Sequence, residues 1–451
     1  MTDGQVELGP GYSSQFHDAM RPVNLLYDEV RQRRETGYDV DSLVTEANRT
    51  DPNDREAVLD LVDRMSLAAR APGWRYFEPD ELVDIEETLD ARPEAFAVPE
   101  AELADKIQAA WLGRIAGCNV GKPVESGDYW TSDRIRDYLM LADAYPLRDY
   151  VPVLDPMPDG YRLIACWPET TRGNVHGSAR DDDIDYAILA LHLLETHGSA
   201  LRPEDVGVAW TRLFPIGQVF TAERAAYLNL VNGFTVPEVA RRRNPYREWI
   251  GAQIRGDVFG YVRAGDPWAA ARLSYQDAAL SHVGNGIYGE MWAAALVAAA
   301  FTAAGPREVV ERALAVVPPQ SRLAEAIRDV LELQASGSTW EDALAAIQQR
   351  YGHYSWVHTI NNAAIVAAAL LWSDGDYLTG VGRVVMSGWD TDSNGATVGS
   401  VLGVLTGTRG LPEHLIAPLE DRTRSALFGF DNSRISDLAA RTVRLAVQGL
   451  E

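Results

Sequence analysis

Gly388-Trp389-Asp390-Thr391-Asp392-Ser393-Asn394-Gly395 runs directly into Ala396-Thr397-Val398-Gly399-Ser400-Val401-Leu402-Gly403-Val404-Leu405-Thr406-Gly407. Asp and Ser favour turns and helix N-caps over helix interiors, so the first eight residues predict a helix start. The small and apolar residues from Gly395 onward predict the helix. Glycine recurs in it at Gly395, Gly399, Gly403 and Gly407, one bare stripe. Each Gly costs about 1 kcal/mol relative to Ala in a helix interior, and only very close packing recovers that. The reading is a tightly packed helix that holds Asp390, Asp392 and the Ser393 hydroxyl fixed at its N-terminal end.

A second stripe supplies the partner. Ala101 to Gly117 has a helical pattern, with glycines at Gly113, Gly117 and Gly121 and a stop near Lys122-Pro123. Two matching stripes predict antiparallel packing, the end of one helix beside the start of the other. Glu125, which alone reads as a surface residue, is thereby brought toward Asp390 and Asp392.

Arg180-Asp181-Asp182-Asp183-Ile184-Asp185-Tyr186 places four carboxylates in five residues. A helix N-terminus relieves part of their repulsion and a bound cation relieves the rest. Such a cluster in isolation reads as an exposed acidic cap. Here the helix that follows, Ile184 to Thr196, is apolar throughout and turns that N-terminus into the body of the protein. Carboxylates and a hydroxyl without neighbouring His or Cys are hard oxygen ligands, suited to Mg²⁺, Mn²⁺ or Ca²⁺. Two such clusters hold enough oxygens for a pair of ions about 3.5–4 Å apart. A fourth feature is the loop with His282, Gly284, Asn285 and Gly286, ahead of a helix. Free N–H groups there suit an anion, although a lone His is more often structural. His358 with Asn361 and Asn362 reads as a structural N-cap.

The 451 residues carry a net charge of −24, from 65 acidic and 41 basic side chains. A nucleic-acid partner is not expected, because phosphate binding needs a basic face. An anionic small ligand needs a cation or a local Arg cluster to offset the field. Cys118 and Cys166 form no metal or disulfide pattern. No basic start followed by an apolar run opens the chain, and Met291 to Ala304 is too short for a membrane span. The expectation is a cytoplasmic protein without a membrane partner. No Gly-x-Ser-x-Gly, Walker loop or dinucleotide fingerprint occurs.

Residues 1–98 predict a small helical extension, with Asp54 to Ala69 its clearest amphipathic segment. From Pro99 onward the pattern is helix after helix. Val151 to Leu154 and Arg162 to Cys166 are the segments that suit short strands. The expected fold class is all-α: one large orthogonal helical domain over 99–451, with the extension 1–98 attached.

Gly117-to-Glu125, Asp181–Asp183, His282 and the 388–407 stretch occur in an order that resembles the ADP-ribosylglycohydrolases, including the dinitrogenase reductase-activating glycohydrolases. The resemblance spans roughly residues 99–430. It implies an all-α hydrolase with two Mg²⁺ (or Mn²⁺) ions that removes ADP-ribose from proteins or small acceptors. By position, Asp390, Asp392 and Ser393 match the family's second metal motif. Asp181, Asp182 and Asp183 match the first, with Asp181 where Thr is usual; a one-residue shift makes Asp181 and Asp182 the central pair. Glu125 matches the family glutamate, and His282 a ligand-side histidine. The resemblance thus implies Glu125, Asp182 and Asp183 as catalytic residues. It implies Glu125, His282, Gly284, Asn285 and Gly286 as substrate contacts. The usual Gly-Asp reads Gly117-Cys118 here, and the segment Tyr246 to Asp257 suggests a divergent bacterial subgroup. Release of ADP-ribose from an acceptor is the expected reaction. A glycosidase for another N- or O-riboside and a catalytically silent binding protein are the alternatives.

Overall fold

The computed structural model describes residues 6–9, 12 and 20–450. Among them are 22 α-helices and a single two-stranded ladder, Arg422–Thr423 against Ser433–Arg434, so the fold class is all-α. The strand-like segments around Val151 and Arg162 are irregular instead. In the first, Pro152 removes an N–H donor that a ladder requires.

Two helices form the axis of the molecule: Glu100–Gly121 and, antiparallel to it, Thr391–Thr406. Their glycines interlock residue by residue. A Cβ on Gly113 would strike the carbonyl of Gly399, one on Gly117 that of Gly395, and one on Gly121 that of Thr391. From the other side, Gly403 faces the Ala109 carbonyl. Each approach is closer than the 3.0 Å that real Cβ atoms observe. The stripes therefore do what their cost in helix propensity requires: they let two backbones touch. The first helix runs four residues beyond the predicted Gly117, and ends in a 3₁₀ turn, Lys122–Val124, that contains Pro123. The second begins at Thr391, so Asp392 and Ser393 lie in its first turn. Gly407 does not extend the stripe but terminates the helix with φ 67°, a conformation that favours glycine.

Two further helices are buried along their whole length, Asn285–Ala300 and Thr359–Leu371. Their Ala-rich sequences are apolar on every face, which is the pattern of a central helix in a large core. The segment too short to span a membrane is thus the middle of the protein, and no helix among the described residues is long and apolar enough to cross one. His358 caps the second of these helices, its Nδ1 accepting the Ile360 N–H at 3.2 Å.

The N-terminal segment packs into the same apolar core through Leu26, Val58, Leu61 and Met65, all buried. Polar clasps hold it. Arg247 pairs with Glu29 at 2.9 Å, and Gln32 donates to Glu248 at 2.8 Å. Arg322 joins Glu78 at 2.9 Å to Glu248 at 2.7 Å.

Candidate metal centre

The antiparallel pair delivers its chemistry at one end. Where Glu100–Gly121 finishes, the turn carries Lys122 and Glu125; where Thr391–Thr406 starts, Asp390 stands at the N-cap and Asp392 and Ser393 in the first turn. The approach to Asp390 passes through Gly388 and Trp389, both left-handed at φ 76° and 61°. A tryptophan in that conformation is unusual, and strained backbone of this kind clusters at functional sites. Asn362 fixes the turn by accepting from the Asp390 N–H at 3.3 Å and the Asn394 amide at 2.7 Å.

The other acidic cluster begins the helix Asp182–His197. Asp181 is its N-cap and accepts the Asp183 N–H at 2.9 Å. Ser393 Oγ donates to Asp183 Oδ2 at 3.1 Å, a bond between residues 210 positions apart that joins the two clusters. Arg114, fully buried, supports Asp183 from behind, donating to its carbonyl at 2.8 Å and pairing with Asp257 at 2.8 Å. Asp185 is turned away from this cluster and serves structure, accepting from Ser425 Oγ at 2.6 Å and pairing with Arg180.

Ligand atoms of Glu125, Asp390 and Asp392 lie within 4.8 Å of one another, and so do those of Cys118, Asp181, Asp183 and Asp392. Asp392 belongs to both groups and stands between them. Burial pushes the Asp390 and Asp183 carboxyls well up from their ordinary range, and the charge of Asp392 adds to the push. Glu125 rises for the same two reasons. Oxygens this crowded ask for a cation, and the donor set is the hard one that suits Mg²⁺ or Mn²⁺. Cys118 does not soften it: burial, with Asp183 and Asp392 nearby, raises the thiol well above its usual value and keeps it protonated.

One cation is built in. The Lys122 ammonium pairs with Asp181 Oδ2 and lies 3.6 Å from Asp392 Oδ2. Burial pulls its pKa down, but Asp392 and Glu125 more than offset that and raise it.

These side chains line a cavity of about 240 Å³. Lys122, Glu125, Asp182, Asp183, Asp390, Asp392 and Ser393 all face it, whereas Asp181 does not line it and pairs with Lys122. His282, Gly284, Asn285 and Gly286 do not line it. His282 is buried behind the wall residue Glu223, 3.9 Å from its Oε1, with Nδ1 on Ser281 Oγ at 2.8 Å. Burial first, then the neighbouring Arg255, hold the imidazole neutral by lowering its pKa well below the usual value. The loop at Gly284 is closed by the chain's own acids, Asp80 and Glu248.

Several wall residues carry no sequence signal of their own. Glu223 faces the cavity and pairs with the buried Arg255 at 2.7 Å. Burial pushes its carboxyl up to about 7, and Asp182 contributes in the same direction against the pull of Arg255. Gly251 has no side chain because a Cβ there would strike the Glu223 carboxylate. Trp249 and Phe220 supply aromatic wall. Thr221, β-branched yet at φ 36°, is a strained wall residue.

Comparison with known proteins gives one strong result. The family model described as ADP-ribosylglycohydrolase matches residues 99–449. None of the curated proteins compared with the chain matches it. Among solved structures, one described as an ADP-ribosylglycohydrolase-related protein complex aligns over 77% of this chain and 99% of its own, at 17% identity and a TM-score of 0.43.

Proposed function

This chain belongs to the ADP-ribosylglycohydrolase family, and we propose on that footing that it cleaves a ribosyl glycosidic bond with divalent metal held at the carboxylate cluster. The family assignment supports glycosidic-bond hydrolysis in general, by metal-dependent enzymes. The observation that carries the specific reading is the Ser393–Asp183 bond at 3.1 Å, which makes one cavity wall of two motifs from opposite parts of the chain. Asp181, Asp182 and Asp183 on one side and Asp390, Asp392 and Ser393 on the other would hold two Mg²⁺ or Mn²⁺ ions. Bound there, such ions polarise oxygen ligands and fix ribose hydroxyls in place.

The side chains divide the remaining work. Asp183 is tied by Arg114 and Ser393 through its two carboxylate oxygens, at 3.4 and 3.1 Å, which makes it a positioner. Asp182 lines the cavity without those bonds and is the residue placed to take the proton of the attacking water. Glu125 faces Asp390 and Asp392 across the same cavity and is placed to return a proton to the leaving atom. The C1″–leaving-atom bond breaks with its electron pair leaving on the acceptor, while the water oxygen bonds to C1″. The most fitting substrate within the family is an ADP-ribosylated protein or small molecule, the protein or small molecule being the acceptor released.

Asp390→Asn tests the site. Calorimetric titration with Mn²⁺ is expected to show binding to the wild type and none to the variant, with unchanged circular dichroism. Normal binding by Asp390→Asn would remove the metal assignment.

A further inference from the structure

The N-terminal segment lies ahead of the residues that define the family, yet it meets the rest of the molecule beside the cavity. Its helix Pro22–Glu35 presents Asp28, Glu29 and Gln32 on one face, at the three- and four-residue spacing of helix neighbours. These three take three consecutive residues as partners. The Tyr246 hydroxyl donates to Asp28 Oδ2 at 3.1 Å, Arg247 pairs with Glu29 at 2.9 Å, and Gln32 Nε2 donates to Glu248 Oε2 at 2.8 Å. All six side chains are buried. The same segment holds Glu248 a second time through Arg322, which pairs with Glu78 at 2.9 Å and with Glu248 at 2.7 Å.

The next three residues, Trp249, Ile250 and Gly251, line the cavity. The Trp249 ring stands edge-on to Tyr246, with centroids 4.7 Å apart. The Ile250 N–H donates to the Val357 carbonyl at 2.8 Å, and the Glu248 carbonyl accepts the Thr359 N–H at 3.1 Å. The Gly251 carbonyl accepts at 3.2 Å from Arg255, the guanidinium that also holds Glu223. Apolar burial is non-directional and by itself leaves the register of a docked helix loose. Buried polar groups do not, because each one left unpaired costs its full desolvation. The pairs onto residues 246–248 therefore fix one register, and with it the place of the wall at 249–251. The metal-facing carboxylates are carried elsewhere, by Asp182–His197 and by the adjoining ends of Glu100–Gly121 and Thr391–Thr406.

Resting on the ribosyl-hydrolase reading, we propose that the N-terminal segment completes the substrate side of the site. Asp28, Glu29, Gln32 and Glu78 are positioning residues. They act through Tyr246, Arg247, Glu248 and Arg322 to set the wall at 249–251 against which the ribosyl substrate lies. The segment governs how well substrate is seated, and the axial helices govern whether metal binds.

The test uses the full chain, with Asp28→Ala and Gln32→Ala as separate variants. Hydrogen–deuterium exchange is expected to quicken across residues 246–251 in both, and to keep the wild-type rate across 113–125 and 390–406. Mn²⁺ affinity by calorimetry is expected to be unchanged. With Mn²⁺ bound and ADP-ribosyl-arginine as the probe, KM is expected to rise about tenfold with kcat unchanged, the scale of one lost buried hydrogen bond. Asp28→Asn keeps an acceptor for the Tyr246 hydroxyl and is expected to restore the wild-type KM. A merely structural attachment lowers the melting temperature while exchange at 246–251 and KM stay as in the wild type, and that result overturns the proposal. A fall in Mn²⁺ affinity that matches the rise in KM overturns it too. If Asp28→Ala does not fold, Gln32→Ala carries the same readouts, because Glu248 keeps Arg322. Exchange is read without turnover, so it upholds or overturns the positioning role whether or not substrate is cleaved. A wild type that binds Mn²⁺ and cleaves no riboside sinks the ribosyl-hydrolase reading alone.

Discussion

Gly117→Ala adds one methyl group where the two axial helices touch. An Ala at position 117 would place its Cβ against the carbonyl oxygen and carbon of Gly395, and within 3.4 Å of the Ala396 nitrogen. All three are backbone atoms of a helix, which cannot rotate aside as a side chain can. Relief requires the helices to separate along a seam that also contains Gly113 against Gly399 and Gly121 against Thr391. Overpacking of a rigid core costs about 1–3 kcal/mol, occasionally more, and a backbone-to-backbone clash belongs at the upper end. Better helix propensity returns about 1 kcal/mol. The net expectation is a loss of about 2 kcal/mol, read as a lower urea midpoint with unchanged slope. Gly217→Ala is the control, because nothing lies within 4 Å of its would-be Cβ. The same variant is expected to weaken Mn²⁺ binding, since separating the helices moves Lys122 and Glu125 away from Asp392. A Gly117→Ala protein as stable as the Gly217→Ala control, with unaltered Mn²⁺ affinity, would refute the claim that the stripes exist for close approach.

Lys122→Met removes the built-in cation from beside Asp181 and Asp392. In chelator its melting temperature is expected to fall, as when one partner of a buried pair is deleted, about 3 kcal/mol; Mn²⁺ should then raise it by more than in the wild type. Equal melts in chelator would show that Lys122 neutralises nothing. Glu35 concerns pH: burial, against the opposing pull of Arg31, raises its carboxyl from 4.5 to about 7. The folded chain thus holds this proton between pH 4.5 and 7 while the unfolded chain has lost it. Stability from this group is fully present below pH 4.5 and is lost as pH rises through 7, about 3 kcal/mol in all. Glu35→Gln should remove that share of the slope in urea titrations across the window; Glu223, raised likewise, retains its own. An unchanged slope would mean that Glu35 is ionised throughout.

What could be read from the residues in order was whatever leaves a local pattern. The glycine stripes, the acidic N-caps and the apolar helices are such patterns, and together they predicted the axial pair and the end of it that carries the carboxylates. Lys122 lay inside a motif already singled out, yet its role depends on Asp181, which arrives from another helix. Glu223, Trp249 and Phe220 come from separate segments and meet only in the folded cavity, so no spacing announces them. The loop from His282 to Gly286 had the right local chemistry for a ligand. Its N–H groups are claimed by Asp80 and Glu248, one from a stretch of the extension without periodicity. A lone acid in a loop carries no sign of which helix start it will cap.

Buried arginines explain how a chain of net charge −24 tolerates so many acids inside. Arg114 supports Asp183 from behind, Arg255 supports Glu223, and Arg322 gathers Glu78 and Glu248. Each guanidinium is almost fully buried and contacts more than one acceptor, the arrangement in which a buried charge is tolerated. The support is one-sided. Arg114 and Arg255 do not line the cavity, and among the described residues the wall offers only Lys122 and Arg180, both already paired. Rigid acids backed by arginine and facing open space cannot move apart to lower their repulsion, so the deficit must be met by what enters the cavity. Divalent cations would meet it. The same asymmetry is what makes the cavity fit a divalent cation.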